Sequence, residues 1–493
     1  MSAPSGLPQF HVVGFSGHRQ LADPDAASAA IRGALEALRR EATGEWIALS
    51  SVAMGSDMVF ARAALDAGFA WQAILPLPPH EFQKDFSQEE WNRAESLLAR
   101  AERTRVITEN GTREDAYLDC GMETANDCDV MLALWDGAQA RGKGGTAEVV
   151  AYARELRKPI VWIDAGTLEV KREHFGRFAA HDRLLAYFNG LPDAPASDEV
   201  NVFHALAPIF RLHQKVDLAA SRGAPQFRRL IVGTVLLHVL ATLVAAAGLA
   251  FGLHAAALPW VKLLCLLGAL GVALALRYAG AHHNWVRCRM AAEVARSALA
   301  SWGLPRAAAL FENLDLPEFR PLMRSLQILH ERASTAQPMP IGEFKELYLE
   351  KRVDDQLAYY RRRLGQALPL LVRLRAGFWI ATVLAIVCTA GYALHRTLHW
   401  SWPTGGVEEL LFYFLPISLP VVAAAFISLI SINDLHRRVA RYREMEHLLV
   451  GARSQIAFCQ TWNSLERIVQ KTERALLQEV LEWHSITSFA ESH

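Results

Sequence analysis

The chain has 493 residues, of which 52% are hydrophobic and 21% charged, and its 51 basic side chains balance its 51 acidic ones. At ~150 residues per domain, this length predicts roughly three domains. The apolar content excludes intrinsic disorder for most of the chain, a charged fraction below the ~25% of soluble domains argues against one large soluble enzyme, and the zero net charge argues against a nucleic-acid polymer as partner.

The first nine residues have neither a basic start nor an apolar signal core, so we expect the N-terminal domain to stay in the cytosol. Residues 8–166 then alternate between strand and helix signals. Strands are predicted at Phe10–Val13, Trp46–Leu49, Trp71–Leu75, Arg105–Ile107, Val130–Trp135 and Pro159–Ile163. Helices are predicted at Ala26–Arg40, Asp57–Ala67, Gln88–Ala101, Asp115–Asp127 and Ala147–Arg157. Strict alternation predicts a parallel sheet covered on both faces, so the fold class is α/β, doubly wound and Rossmann-like.

Ligands of such folds bind beyond the carboxyl ends of the strands, where three loops of this chain carry glycines. Glycines let the backbone approach a phosphate, helix N-termini offer N–H groups, and an arginine can form paired hydrogen bonds to phosphate. The residues predicted to bind a nucleotide or phosphate are Gly14, Ser16, Gly17, His18, Arg19, Gly55, Ser56, Asp57, Pro76, Asp136, Gly144, Gly145, Thr146 and Glu148. Arg19 would hold phosphate, and Asp57 or Asp136 would hold ribose hydroxyls.

Simpler explanations of the same residues stay open at this point. A glycine at a strand-to-helix turn is often turn geometry alone, Asp57 could cap its helix, and Glu148 could be a first-turn charge favoured by the helix dipole. The loops fit neither the G-x-G-x-x-G nor the Walker A pattern, which disfavours an ordinary dehydrogenase and a nucleoside triphosphatase. No Cys/His grouping has zinc-ligand spacing, so we expect no metal site and no required cofactor, and we expect the six cysteines to be small buried hydrophobes.

These motifs resemble the SLOG superfamily over roughly residues 8–166. The matching residues are Gly17-His18-Arg19, Gly55-Ser56-Asp57 with Ala61-Arg62-Ala63-Ala64-Leu65, Leu75-Pro76-Leu77-Pro78 with Phe82 and Phe86, Trp135-Asp136-Gly137, and Gly144-Gly145-Thr146 with Glu148. That superfamily includes LOG-type phosphoribohydrolases, DprA-like proteins and sensors of nucleotide-derived ligands in bacterial defence, so the resemblance implies an ADP-ribose derivative or a cyclic nucleotide as ligand. The last motif is shorter than the LOG pattern PGGxGTxxE and lacks its proline, which favours binding over catalysis. If the domain is an enzyme, Glu148 is its candidate acid.

Four apolar stretches follow a linker and basic juxtamembrane segment at 191–229. They are Leu230–Leu253, Ala255–Leu276, Ala376–Leu394 and Leu410–Ile432. At about 1.5 Å per residue, such lengths suit a hydrocarbon core of ~30 Å and predict four transmembrane helices in two hairpins, with a soluble core helix as the alternative for the second and third. The predicted domains are 8–190, the nucleotide-binding domain; 191–229, the linker; 230–276, the first hairpin; 277–375, cytosolic helices; 376–432, the second hairpin; and 433–493, C-terminal cytosolic amphipathic helices.

Few side chains within these stretches are ionisable or would distort a helix. Pro416 and Pro420 should kink the fourth. His238 is an ionisable residue within the first, for which a hydrogen bond to a backbone carbonyl is at least as good an explanation as a functional role.

The distribution of lysine and arginine predicts the orientation in the membrane. Sixteen lie within 15 residues of the span ends on one side, whereas the opposite turns carry only Lys262 and Arg396. The sixteen are Lys215, Arg222, Arg228, Arg229, Arg277, Arg287, Arg289, Arg361, Arg362, Arg363, Arg373, Arg375, Arg437, Arg438, Arg441 and Arg443. By the positive-inside rule, both termini and the region between the hairpins face the cytoplasm of a bacterial inner membrane.

The cytosolic segments around the hairpins have helical patterns at 285–302, 306–360 and 433–483. In the last, an apolar stripe with 3.6-residue spacing comprises Leu465, Val469, Thr472, Leu476, Val480 and Trp483, and it needs another helix of this chain or of a second subunit to cover it. The charges Glu473, Arg474, Glu479 and Glu482 are most simply a solvated face.

These segments resemble the SLATT group, membrane modules built of a transmembrane hairpin and cytosolic helices. The matching residues are Trp285, Arg287, Arg289 and Glu293 after one hairpin, and Thr461-Trp462 with Glu473, Leu476, Glu479 and Trp483 after the other. SLATT modules accompany SLOG and other nucleotide-sensing domains and are regarded as pore-forming effectors. Four spans exceed a two-span module, which suggests an inserted or duplicated hairpin.

Three hypotheses about function follow. The first is a homo-oligomeric sensor–effector, in which a nucleotide-derived signal triggers a pore or membrane disruption during phage infection. The second is a membrane-tethered hydrolase of nucleotides or NAD-like substrates. The third is a ligand-regulated channel or transporter outside defence.

Overall fold

The computed structural model describes residues 6–107, 112–139, 144–195, 206–253, 255, 257–278, 281–304, 316–336, 339–398 and 406–489. Two compact units share the chain. The sheet unit comprises Met1–Asn189 and Glu318–Ser325, and the helical unit comprises Gly190–Pro317 and Leu326–His493.

The sheet unit is built on seven strands. They are β1 (Phe10–Gly17), β2 (Glu45–Ser50), β3 (Ala70–Leu75), β4 (Arg103–Val106), β5 (Val130–Trp135), β6 (Ile160–Asp164) and β7 (Val170–Glu173). Their order is β4-β3-β2-β1-β5-β6-β7, and every pairing is parallel except that of β6 with β7. This confirms the predicted doubly wound α/β fold.

Helices connect the strands. They are α1 (Pro24–Glu41), α2 (Ser56–Asp66), α3 (Pro79–Phe82), α4 (Gln88–Leu98), α5 (Arg113–Asp127), α6 (Thr146–Glu155) and α7 (Arg183–Asn189). Their starts follow from local chemistry: Asp23 caps α1 by accepting hydrogen bonds from the N–H groups of Asp25 and Ala26, and Ser87 forms a capping box with Glu90 at the start of α4.

The structure departs from the predicted boundaries in three ways. β1 continues four residues beyond Val13, so Gly14, Ser16 and Gly17 lie in a strand and not in a loop. The antiparallel β7 and the helices α3 and α7 were not predicted, because each is too short to show a clear periodicity. Residues 318–325 also belong to the sheet unit, where Arg324 donates a hydrogen bond to the Asp127 carbonyl oxygen (2.8 Å).

The helical unit carries ten helices among its described residues. They are α8 (Ala207–Ala250), α9 (Ala257–Tyr278), α10 (Ala281–Ala300), α11 (Arg320–Ala336, whose first turns count with the sheet unit), α12 (Ile341–Tyr348), α13 (Asp355–Leu398), α14 (Gly406–Glu408), α15 (Leu415–Ile432), α16 (Leu435–Phe458) and α17 (Trp462–Phe489). π-helical turns at Leu349–Asp354 and Glu409–Phe414 lead into α13 and α15. The predicted linker and the helical pattern at 306–360 fall partly on residues 196–205 and 305–315, which lie outside the described residues.

The four predicted transmembrane helices are confirmed as long apolar helices. Two are whole segments, Leu230–Ala250 and Ala257–Ala275, and two lie within the longer helical stretches Ile341–Leu398 and Gly406–Phe458. Large apolar side chains point outward from them, with Leu249 76% and Ile380 67% exposed. Apolar surface of this extent needs lipid or another protein to cover it, which excludes the alternative of helices buried in a soluble core.

The structure also places the histidine, the prolines and the cysteines of the spans. The ring nitrogen Nδ1 of His238 lies 2.8 Å from the carbonyl oxygen of Thr234, the local backbone bond that the sequence suggested. Pro416 is in the first turn of α15 and Pro420 is inside it, directly after a π-helical turn. All six cysteines are free and buried, as predicted.

The stripe on α17 is covered by helices of the same chain. Leu465, Val469 and Leu476 belong to one buried cluster with Phe344 and Leu449. The sequence left an intrachain and an intersubunit cover open, and the structure supplies the intrachain one.

Candidate functional site

The candidate site lies at the carboxyl edge of the sheet, between its central strands β1 and β5. The chain leaves β1 toward β2 and leaves β5 toward β6, on the opposite side, so this is the topological switch point where doubly wound folds bind ligands. The Asp136 backbone N–H donates to Nε2 of His18 (3.0 Å), and the Asp136 carboxylate lies 3.2 Å from the same nitrogen. The structure thus brings two predicted site residues together.

The segment after β1 packs against the start of α2. The Ser56 N–H donates to the carbonyl oxygen of His18 (3.1 Å). A Cβ atom on Gly17 would stand 2.3 Å from the Ser56 hydroxyl oxygen, and one on Gly55, whose φ is +86°, would stand 2.1 Å from the Arg19 carbonyl oxygen. Both glycines are therefore required by the close approach of two backbone segments.

Two helix N-termini face this edge without a capping side chain. The N-cap residues of α2 and α6 are Gly55 and Gly145, and neither helix has a side-chain cap hydrogen bond. The hydroxyl of Ser56, the first residue of α2, is buried and has no hydrogen-bond partner among the described residues. First-turn N–H groups and a buried hydroxyl can donate hydrogen bonds to an anionic ligand. Such a ligand would also explain why a buried polar atom has no partner in the protein.

Asp57 is in the first turn of α2 and is not its cap, so that alternative is wrong. Its carboxylate accepts a hydrogen bond from the Ala53 backbone, and burial raises its pKa to about 7 although the Arg19 guanidinium opposes the shift. Near neutral pH the Asp57 carboxyl can therefore donate or accept a hydrogen bond, which is the capacity needed to hold a hydroxyl group.

Arg19 is exposed, and its guanidinium lies over the ring of Tyr117, 5.0 Å from the ring centre. The Tyr117 hydroxyl donates to Asp85 (2.6 Å), which also accepts a hydrogen bond from Nε of Arg113 (3.0 Å). The sequence analysis missed Tyr117, Asp85 and Arg113. Tyr117 could have been predicted by the argument that singled out the start of α2. The helix α5 also starts at the carboxyl edge of the sheet, so residues of its first turns are candidates for the site.

The third predicted loop is described from Gly144 onward, and residues 140–143 lie outside the described residues. Gly144 has a φ of +80°, and its N–H donates to the Glu148 carboxylate. Thr146 begins α6. Glu148 therefore stabilises the start of α6. This fits its interpretation as a first-turn helix charge better than a role as a free catalytic acid.

The remaining predicted residues lie deeper or to one side. Gly14 is buried in β1, where a Cβ atom would stand 2.9 Å from the Cβ of Cys128, the residue directly after α5. Ser16 is opposite Ala133 in the sheet and half-buried, and Pro76 is buried directly after β3. Gly14 thus serves helix packing.

The helical unit contains a buried charge cluster that sequence reasoning misread. Glu473, predicted to be solvated, is fully buried. It accepts two hydrogen bonds from the Arg352 guanidinium (2.6 and 2.9 Å), one from the Ser297 hydroxyl (2.7 Å) and one from the Tyr348 hydroxyl (2.8 Å). Burial favours the neutral form of nearby Glu293, but neighbouring arginines outweigh it and lower the pKa of Glu293 to about 2.

Comparison with known families divides the helical unit into two matches. Residues 211–338 match the family described as SMODS and SLOG-associating 2TM effector domain 3, and residues 348–483 match the one described as SMODS and SLOG-associating 2TM effector domain 1. Each match contains one hairpin with flanking helices, so the four spans divide into two two-span modules. The sheet unit has the parallel α/β architecture that the SLOG resemblance implies, which is agreement in fold alone. No curated protein matches the chain.

Proposed function

We propose that this chain, which carries two SLATT transmembrane effector domains, is a sensor–effector of a bacterial conflict system. The sheet unit binds a nucleotide-derived signal, an ADP-ribose derivative or a cyclic nucleotide. Binding changes the assembly of identical subunits in the inner membrane, and the spans then form a pore or disrupt the bilayer. The outcome is growth arrest or death of the infected cell.

The observation that carries this proposal is the chemistry at the switch point of a chain that also holds two effector domains. Two uncapped helix N-termini, the buried Ser56 hydroxyl and the exposed Arg19 guanidinium supply donors for phosphate, and Asp57 can hold a hydroxyl. The described residues of the spans include no group of three or more metal-binding side chains, and the spans are otherwise apolar. Signal recognition therefore belongs to the sheet unit and the response to the helices.

Energetically, the signal must bind the active assembly more tightly than the resting one. To move a 1:99 equilibrium to 99:1 takes a preference of roughly 10⁴-fold, or about 5.5 kcal/mol. Loss of one charge-assisted bond to phosphate, as in Arg19→Ala, removes roughly 1.5–3 kcal/mol and should move the response to concentrations more than tenfold higher.

The test is leakage of a dye from liposomes that contain the purified full-length protein, across a panel of ADP-ribose derivatives and cyclic nucleotides. We expect leakage with one class of ligand, strongly reduced in Arg19→Ala and Asp57→Ala. Arg62→Ala, an exposed arginine on α2 away from the site, is the matched control and should behave as wild type.

Other outcomes discriminate between functions. Leakage without any ligand would indicate an unregulated channel, and no leakage with any ligand would contradict the proposal. Release of a free base, lost in Glu148→Gln, would indicate a hydrolase. Normal ligand binding by both Arg19→Ala and Asp57→Ala would mean that the site is elsewhere.

A further inference from the structure

The helical unit contains a cavity of about 790 Å³, within the range of about 300–1,000 Å³ typical of small-molecule sites. Its walls come from segments that precede the first and third spans or follow the second and fourth. His213 and Trp285 belong to the first SLATT domain, whereas Tyr359 and Tyr442 belong to the second. The cavity is therefore shared between the two domains and beside the membrane-proximal ends of all four spans.

The lining is cationic. Seven lysine and arginine side chains line the cavity against three carboxylates, and Glu473, which pairs with Arg352, adds a fourth negative charge. His213 adds no charge at neutral pH, because burial and the Arg296 guanidinium lower its pKa to about 4. The cavity thus has a positive excess next to aromatic rings.

The deepest cation is Arg352, in the π-helical turn before α13. Its side chain is 2% exposed. Two of its nitrogens bond to Glu473, but Nη1 has no hydrogen-bond partner within the described part of the chain, and it lies 3.9 Å from the nearest Glu293 oxygen. Nε2 of His213, which also lines the cavity, has no hydrogen-bond partner among the described residues either. Buried polar atoms without partners are rare in proteins and mark places where a further group binds.

The outer cations lie against tyrosines. The Arg363 guanidinium lies over the ring of Tyr359 (5.3 Å), and Arg438 lies over Tyr442 (5.8 Å) and donates to its hydroxyl (3.1 Å). By contrast, Arg296 pairs with Asp217 and Glu293. Arginines stacked on rings keep much of their hydrogen-bonding edge available for planar or tetrahedral anions.

We propose that this cavity is a binding site for a phosphate-bearing anion, with Arg363 and Arg438 at its entrance and Arg352 at its floor. It is separate from the site in the sheet unit. The phosphate belongs to a soluble phosphate ester or to the headgroup of an anionic phospholipid. Arg438 is in the first turn of α16, only six residues beyond Ile432, the last residue of α15, so a headgroup is within reach.

The test uses the full-length protein in lipid nanodiscs and two probes. In one arm, pyrophosphate or AMP is titrated into nanodiscs made of phosphatidylcholine alone, and calorimetry measures the binding. The other measures retention of phosphatidylglycerol by native mass spectrometry. The test variant is Arg363→Ala with Arg438→Ala, and the matched control is Arg362→Ala with Arg437→Ala, exposed neighbours on the same helices that do not line the cavity.

We expect the test variant to bind one probe about tenfold or more weakly, since each bond between charged partners contributes roughly 1.5–3 kcal/mol, and the control to bind as wild type. Loss confined to pyrophosphate or AMP identifies a soluble ester, and loss confined to phosphatidylglycerol identifies a lipid headgroup. Unchanged binding of both probes by a folded test variant overturns the proposal. Soluble-probe binding that is lost in Arg19→Ala but kept in the test variant also overturns it, while leaving the proposed function intact.

Discussion

At the scale of single residues, the carboxyl edge of the sheet depends on glycines that admit no side chain. Gly55 has a backbone conformation that is accessible mainly to glycine, and the Arg19 carbonyl oxygen occupies the place of a Cβ atom.

We therefore expect Gly55→Ala to destabilise the sheet unit by about 1–3 kcal/mol from backbone strain alone, and to weaken binding of any ligand at this edge. Gly33→Ala is the control, because nothing lies within 4 Å of its would-be Cβ on the exposed face of α1, and it should stabilise by about 0.5–1 kcal/mol. Chemical unfolding of both variants measures the difference. Equal effects would mean that the loops separate easily.

The raised pKa of Asp57 gives the sheet unit a specific pH dependence. In the folded chain its pKa is about 7, and its ordinary value is 3.8. Folding stability is therefore lost as pH rises from about 4 through 7, because the folded state keeps a proton that the unfolded state has already released, and the loss is complete above that range. Between pH 6 and pH 8 the loss should be about 1 kcal/mol, and Asp57→Asn should remove it. Unfolding midpoints of wild type and variant at both pH values check this, and parallel profiles would contradict it.

The sequence predicted which residues lie at the carboxyl edge of the sheet where those residues come soon after a strand along the chain. His18, Arg19, Asp57 and Asp136 were found because parallel strands deliver their next residues to one edge. Tyr117 could have been predicted from the start of α5 at the same edge, but its partner Asp85 could not, since their contact joins segments 32 residues apart and has no local signal.

At the scale of secondary-structure elements, the pairing of α17 with the π-helical turn before α13 is the least predictable feature. The spacing of apolar residues on α17 correctly placed Leu465, Val469 and Leu476 in the core. Glu473 is next to that stripe and was interpreted as solvated because of its residue type. Only the fold reveals that Arg352 reaches it, as the two are 121 residues apart.

Glu473→Gln should destabilise the helical unit by about 3–5 kcal/mol, because the buried Arg352 guanidinium loses the carboxylate that pairs with it at hydrogen-bond distance and keeps only Glu293, 3.9 Å away. Lys471→Gln, an exposed change on the same helix, should stay within about 0.5 kcal/mol of wild type. Thermal unfolding of the full-length protein in detergent measures both. Adding Arg352→Met to Glu473→Gln should recover part of the loss, and no recovery would show that the charge is not the cause.

At the scale of the whole molecule, the two SLATT domains repeat one design. Each includes most of a 44-residue helix, α8 or α13, whose second half is an apolar span and whose first half continues beyond that span. The spans were easy to predict, because each is a long and almost uncharged apolar run. The grouping of the flanking helices with their hairpins was harder, since it depends on packing between distant segments.

The repeated design fixes which residues must share one side of the membrane. Both hairpins carry their arginine-rich ends on the same side, so the turns after α8 and α13 should face the periplasm. A membrane-impermeant maleimide should therefore label Val407→Cys, an exposed position at the start of α14, in cells with an intact inner membrane. Ser454→Cys, exposed on α16, should be labelled only after that membrane is opened. The natural cysteines should add little background because all six are buried. Labelling of Ser454→Cys alone in intact cells would reverse the orientation and place the sheet unit outside the cytoplasm, where a nucleotide signal made in an infected cell could not reach it.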